Sequence, residues 1–233
     1  MQDTYERALI VGAGQGLSAS LARAFAGAGL KIGLAARDAD KLASLAAETG
    51  AVAHACDVAR PDQVDTLFAR MDQELGGVPD VVVYNPSARM RGPFVELDRE
   101  AVANALTITA YGGFLVGQAA AKRMLPEGRG AILFTGASAS VKGYPQSASF
   151  AMGKFALRGL AESMARELQP HGIHVAHFVI DGAIRNPGRT EPADAPDSML
   201  DPDAIARTYL HVLQQDRSAW TFEVALRPWL ERF

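Results

Sequence analysis

Ala8-Leu9-Ile10-Val11-Gly12-Ala13-Gly14-Gln15-Gly16-Leu17 joins an apolar run to a glycine-rich turn and then to a segment of helical period. Four consecutive apolar residues before the turn read as a strand covered on both faces, as a parallel sheet requires. Glycines at the turn remove β-carbons from the start of a helix, where free backbone N–H groups and the helix dipole favour a phosphate. The stretch therefore predicts a strand-turn-helix unit that cradles a dinucleotide, against the plainer reading of a tight turn that binds nothing. Its candidate contacts are Gly12, Gly14, Gln15, Gly16 and Leu17.

The same rhythm continues toward the C-terminus. Short β-rich runs at 8–11, 31–35, 51–56, 80–84, 131–135, 174–180 and 220–226 alternate with helical-period segments at 17–28, 39–48, 63–75, 99–124, 147–168 and 202–214. This order predicts an α/β fold of a single domain over residues 1–233, a Rossmann-like doubly wound parallel sheet with helices on both faces. Residues 186–201 break the rhythm with Pro187, Pro192 and Pro196 among Gly, Asp and Glu. They read as a mobile loop on the substrate side, either a lid or an idle surface segment.

Composition narrows the function classes. With 48% hydrophobic and 21% charged residues and no apolar stretch of membrane-spanning length, a cytoplasmic protein is the expectation. Residues 1–7 lack the basic start and apolar core of a secretory signal. Cys56 is the one cysteine, so neither an internal disulfide nor a cysteine zinc site forms. A net charge of -3 argues against nucleic acid and leaves a small-molecule substrate as the expected partner. No metal spacing joins the histidines: His54 and His177 read as structural strand residues, His171 and His174 as capping or surface residues.

The choice of dinucleotide turns on the end of the second strand, Leu34-Ala35-Ala36-Arg37. An acidic residue there pairs with the ribose of NAD, whereas an arginine accommodates a 2′-phosphate. Ala36 offers no carboxylate and Arg37 follows it, which favours NADP(H) over NAD(H). The competing reading makes Arg37 a solvated charge paired with Asp38 or Asp40.

These features together resemble the short-chain dehydrogenase/reductase family over nearly the whole chain. Gly12 and Gly16 match the family's GxxxGxG turn, with Ser18 where the last glycine stands. Asp57-Val58 is similar to the family's step at the adenine, and Tyr84-Asn85-Pro86-Ser87 occupies the place of its NNAG turn with only Asn85 kept. Asp181-Gly182 replaces a Pro-Gly pair, and Asn186 falls near the family's carboxamide-holding threonine. The resemblance thus implies cofactor contacts from Arg37, Asp57, Val58, Asn85, Gly182, Ile184 and Lys154. It likens the segment at 109–124 to the helix of the family's subunit interface. The apolar excess there and at 147–168 predicts a homodimer or homotetramer.

The family's catalytic centre is where the likeness fails. Its YxxxK motif reads Phe150-Ala151-Met152-Gly153-Lys154 here, its serine position falls on Ala137, and its helix asparagine aligns with Thr109. Phe150 and Lys154, four apart, still share a helix face, but Phe150 has no proton to give. Ser138 is one residue out of place and serves only if the strand is bulged or kinked there. Tyr144 offers a phenol from the preceding loop, or simply a pocket wall. Asp181 is a further candidate acid, or the cap of the next turn. Lys154 contacts the nicotinamide ribose by resemblance, or else lies on the helix surface near Glu162 or Asp181. Two functions follow: an NADP(H)-dependent oxidoreductase of an unidentified carbonyl or alcohol with a non-standard proton donor, or a non-catalytic NADP(H)-binding sensor or partner subunit.

Overall fold

The structure, a computed structural model, describes residues 5–231. Seven strands form one sheet in the order β3-β2-β1-β4-β5-β6-β7. They are β1 Arg7–Val11, β2 Lys31–Ala36, β3 Val52–Ala55, β4 Val81–Tyr84, β5 Gly130–Thr135, β6 Ile173–Ile180 and β7 Glu223–Leu226, and every pair is parallel. The connecting helices are α1 Leu17–Gly27, α2 Ala43–Thr49, α3 Pro61–Glu74, α4 Arg99–Leu106, α5 Gly112–Glu127, α6 Ala148–Leu168 and α7 Pro202–Leu213. This is the expected Rossmann-like, doubly wound, single-domain architecture.

The apolar run of β1 is buried because both its faces are covered. Leu9 and Val11 join the core beneath α3, α5 and α6, while Ala8 and Ile10 join the core beneath α1, α2 and α7. From β1 the chain first builds outward through β2 and β3, then returns to place β4 on the other side. That reversal opens a crevice at the C-terminal edge, the usual ligand position in open α/β sheets. The register Val11↔Tyr84 sets Asn85 beside the glycine turn across this crevice.

Several elements differ from the sequence reading. The segment at 99–124 is interrupted by a π-helical turn, Thr107–Tyr111, between α4 and α5. The segment at 39–48 opens as a 3-10 turn, Asp40–Leu42, before α2. α3 begins at Pro61, since the first turn of a helix needs no N–H from that residue. The last strand is shorter than expected: Trp220 stacks on His174 with ring centroids 4.6 Å apart, and Gln215 Oε1 accepts from Thr221 N at 2.8 Å. His174 is accordingly not a capping or surface residue but a fully buried one, donating from Nε2 to the Thr221 carbonyl at 2.9 Å.

The 186–201 loop is tied at its base. Arg185 N donates to Leu200 O at 3.0 Å and Leu200 N to Ala183 O at 2.8 Å. Within it, Glu191 Oε1 accepts from Met199 N at 3.0 Å.

Candidate functional site

The glycine turn is shaped by its neighbours. Gly12 has φ +79°, and a Cβ there would lie 2.7 Å from the Pro86 ring, so only glycine fits. Ser18 Oγ donates to Gly12 O at 3.0 Å, and Asn85 Nδ2 donates to Ser18 Oγ at 2.7 Å. The serine that stands in a glycine position therefore ties the turn to the exit of β4. Gly14 has nothing within 4 Å of where its Cβ would be, so this side of the turn is open. The first turn of α1 has no side-chain cap and no acidic residue. Unused N–H groups at such a terminus suit an anionic diphosphate.

A groove runs along the sheet edge from this turn. One part, about 1110 Å³, is lined by Gly12, Gly14, Gln15, Arg37, Asp57, Val58 and Asn85. The next, about 340 Å³, is lined by Gly16, Leu17, Asn85, Ala137, Phe150, Lys154, Gly182 and Ile184. Asn85 and Ser87 belong to both. The groove thus gathers every residue expected to hold the dinucleotide. Arg37 makes no ion pair among the described residues, and Asp38 pairs instead with Lys41 at 3.0 Å. The expected pairing is therefore not made, while Arg37 itself is exposed at the groove. Lys41, which the sequence reading missed, lines the groove beside it.

At the far end Lys154 is buried, not on the helix surface. Its Nζ donates to the Thr135 carbonyl at 2.6 Å, and burial pushes its pKa down to about 7. Asp181, also buried, is held by Lys142 at 3.4 Å and Arg227 at 3.8 Å, so it is an ion-paired carboxylate rather than a free acid or a turn cap. Phe150 precedes Lys154 by one helical turn, with Lys154 Nζ 6.0 Å from the ring centroid and Arg89 Cζ 4.8 Å from it. Ala137 lines the cavity, whereas Ser138 starts a 3-10 turn, Ser138–Ser140, and is not on its wall. Tyr144 is exposed on its loop with Lys142 Nζ 5.7 Å from its ring, and it too lies off the wall. Thr109 is buried in the π turn, where its Oγ1 accepts from Ala88 N at 3.1 Å. The structure brings Phe150, Lys154 and Ala137 together and leaves Ser138 and Tyr144 outside.

Other titratable groups stand behind the site. His54 meets Glu74 at 2.8 Å. His177 meets Glu223 at 3.0 Å through Nδ1, while its buried Nε2 has no hydrogen-bond partner among the described residues, and burial pushes its pKa down to about 4. Among the described residues no group of three His, Cys, Asp or Glu side chains is placed to hold a metal, and no helix is long and apolar enough to cross a membrane. Arg89, on the Phe150 ring, and Arg189, on the same cavity wall as Phe150, were not found from the sequence. The one signal for them was position, since both lie in segments that follow strand ends.

A family model described as short chain dehydrogenase matches residues 6–191. A short-chain dehydrogenase/reductase of Armillaria gallica is 31% identical over 188 residues, covering 77% of this chain and 71% of that protein. A solved short-chain dehydrogenase from Rhodopseudomonas palustris is 34% identical, with a TM-score of 0.82 over 97% of this chain and 100% of that one. The alcohol dehydrogenase of Thermococcus sibiricus, complexed with 5-hydroxy-NADP, is 25% identical, with a TM-score of 0.85 over 97% and 98% of the two chains. An NAD+-bound xylitol dehydrogenase shares the fold, at 22% identity and a TM-score of 0.85 over 96% and 98%.

Proposed function

This chain belongs to the short-chain dehydrogenase family and is an oxidoreductase of that type; from there we propose that it uses NADP(H) on a small carbonyl or alcohol compound, with a proton donor other than the family's tyrosine. The observation that carries the reading is the continuity of the groove, from the open glycine turn and the unpaired Arg37 to the buried Lys154. When bound there, the dinucleotide supplies or accepts the hydride. The N–H groups at the start of α1 hold its diphosphate, and the Arg37 guanidinium takes the 2′-phosphate through paired charged hydrogen bonds. Lys154 is the residue assigned to the nicotinamide ribose. Phe150 and Ala137, which we place at the family's tyrosine and serine positions, carry no exchangeable side-chain proton. The proton on the substrate oxygen then comes from water, from the substrate, or from Lys154, the acid on the cavity wall with a pKa near neutrality. The apolar outer faces of α5 and α6 meet a second copy of the chain.

Calorimetric titration with NADP+ and NAD+ tests the cofactor. NADP+ is expected to bind at least about tenfold tighter, and Arg37→Ala to abolish the difference. Equal or tighter binding of NAD+ removes this reading. Reduction of simple ketones and aldehydes is expected to be slow, because a positioned acid contributes about 100-fold or more, and Ala137→Ser with Phe150→Tyr should restore much of that factor. Fast turnover by the unmodified protein, lost on Ser138→Ala or Tyr144→Phe, would name a different donor. Binding without turnover of any carbonyl would reduce the protein to a dinucleotide sensor or partner subunit.

A further inference from the structure

The substrate end of the groove carries more positive charge than a dinucleotide requires. Arg89 follows the exit of β4, and its guanidinium carbon lies 4.8 Å from the centre of the Phe150 ring. Its Nη2 donates to Ser147 Oγ at 3.3 Å, which helps fix the fork against the ring. Arg189 lines the same cavity wall as Phe150 and Lys154. Partial burial, then repulsion from Arg91 and Arg189, holds Arg89 below its ordinary pKa. None of the three is ion-paired among the described residues. The nearby carboxylates are engaged elsewhere, Asp181 by Lys142 and Arg227 and Glu191 by the Met199 N–H.

Like charges gathered without a counter-charge repel one another, and a bound anion removes that cost. A guanidinium resting on an aromatic face is also oriented and partly desolvated, with N–H donors left over for an oxyanion. We propose that the substrate carries an oxyanion group, a carboxylate or a phosphoryl group, which Arg89 and Arg189 hold beside the Phe150 ring. This rests on the groove being the cofactor and substrate site. It also gives Phe150 a positive role, as the platform on which Arg89 lies.

The test titrates the protein alone and the NADP+-saturated protein with 4-carboxybenzaldehyde, phenyl phosphate and the uncharged methyl 4-formylbenzoate. At least one of the two anions is expected to bind about tenfold or more tighter than the ester, as a charge-assisted pair of hydrogen bonds allows. The tighter of the two identifies the group, and added salt should weaken it. Arg89→Gln and Arg189→Gln should each weaken anion binding about tenfold, and Arg89→Lys should rescue it only in part, since a lysine lacks the planar fork. Arg89→Gln should leave NADP+ affinity unchanged, which shows that the variant is folded. Equal binding of ester and anions, or anion binding unaffected by the glutamine variants, overturns the proposal. So does anion binding that vanishes on saturation with NADP+ and persists in Arg89→Gln, which would put the anions on the glycine turn. Failure of the unmodified protein to bind NADP+ is a separate outcome: it overturns the cofactor reading, while the titration of the protein alone still decides whether the arginines hold an anion.

Discussion

Burying Lys154 works against the fold, because its ammonium gives up water and gains only the Thr135 carbonyl at 2.6 Å. The folded pKa falls to about 7 from the ordinary 10.5, and burial is the cause. Between these two values the unfolded chain binds more protons at this position than the folded one, so stability rises with pH across the window. Below about pH 7 both forms are protonated, and the full cost persists. Lys154→Met should therefore stabilise the protein at pH 7 by about 1–3 kcal/mol, a figure reduced for the lost hydrogen bond, and should flatten the alkaline slope. NADP+ affinity should fall about tenfold in the same variant if Lys154 holds the ribose as proposed. Urea unfolding at several pH values, paired with NADP+ titration, checks both parts. A less stable variant with an unchanged slope would show that the ammonium is not what the fold resists. His177 acts in the acid range by the same logic. Its pKa, lowered to about 4 from 6.5, makes its contribution complete above 6.5 and lost as pH falls through 4.

The π turn at Thr107–Tyr111 shows how an element can be read from sequence while its most consequential feature is not. Helical periodicity marks 99–124 as one segment, because a π turn adds a residue without removing the apolar face. Its cause lies far away in the chain. The fully buried Tyr84, at the end of β4, donates its O–H to the Ile108 carbonyl inside the turn. Gly112 permits this, since a Cβ there would stand 2.5 Å from Tyr84 Oη and 2.9 Å from Val58 Cγ2. Tyr84→Phe should cost about 1–2 kcal/mol by leaving a buried carbonyl without its donor. Gly112→Ala should cost about 1–3 kcal/mol by overpacking. The double variant should lose about 1 kcal/mol less than the sum, because removing the hydroxyl relieves part of the clash. Urea midpoints of the four proteins give this coupling, and strict additivity would mean that the turn is not built around this pair. Ile108 and Val58 both line the groove, so the turn also sets the width of the site.

At the scale of the whole molecule, the fold was legible because a parallel sheet covered on both faces writes itself as unbroken apolar runs such as Ala8 to Val11, each followed by a helical period. The cofactor half of the site was legible because one local turn carries much of it. The end beside Phe150 was legible only through Phe150 and Lys154, four apart on one helix, while Arg89 and Arg189 come to that ring and that cavity wall from separate segments of the chain. The outer face of α6 bears directly on assembly. Phe150 and Lys154 face the cavity, while Met152, about 160° around the same helix from both, and Phe155, about 140° from Phe150 and about 100° from Lys154, are 50% and 47% exposed. Tyr111 and Phe114, at the start of α5, are 48% and 41% exposed, and their rings stack at 6.1 Å. Large apolar side chains left in water on helices this close to the site are best covered by another copy of the chain, and a closed symmetric pair covers both sets at once. Light scattering should therefore find a dimer or tetramer at about 10 µM, and Phe114→Glu with Phe155→Glu should dissociate it, because two buried carboxylates without partners are more than such an interface tolerates. A monomer before any substitution overturns the proposed assembly. If the outer face of α6 is clamped by a partner, the dissociated variant should also lose about two- to fivefold in NADP+ affinity as the helix carrying Lys154 loosens. Full retention of affinity in that monomer would show that each chain completes its own site, and that the outer face of α6 serves assembly alone.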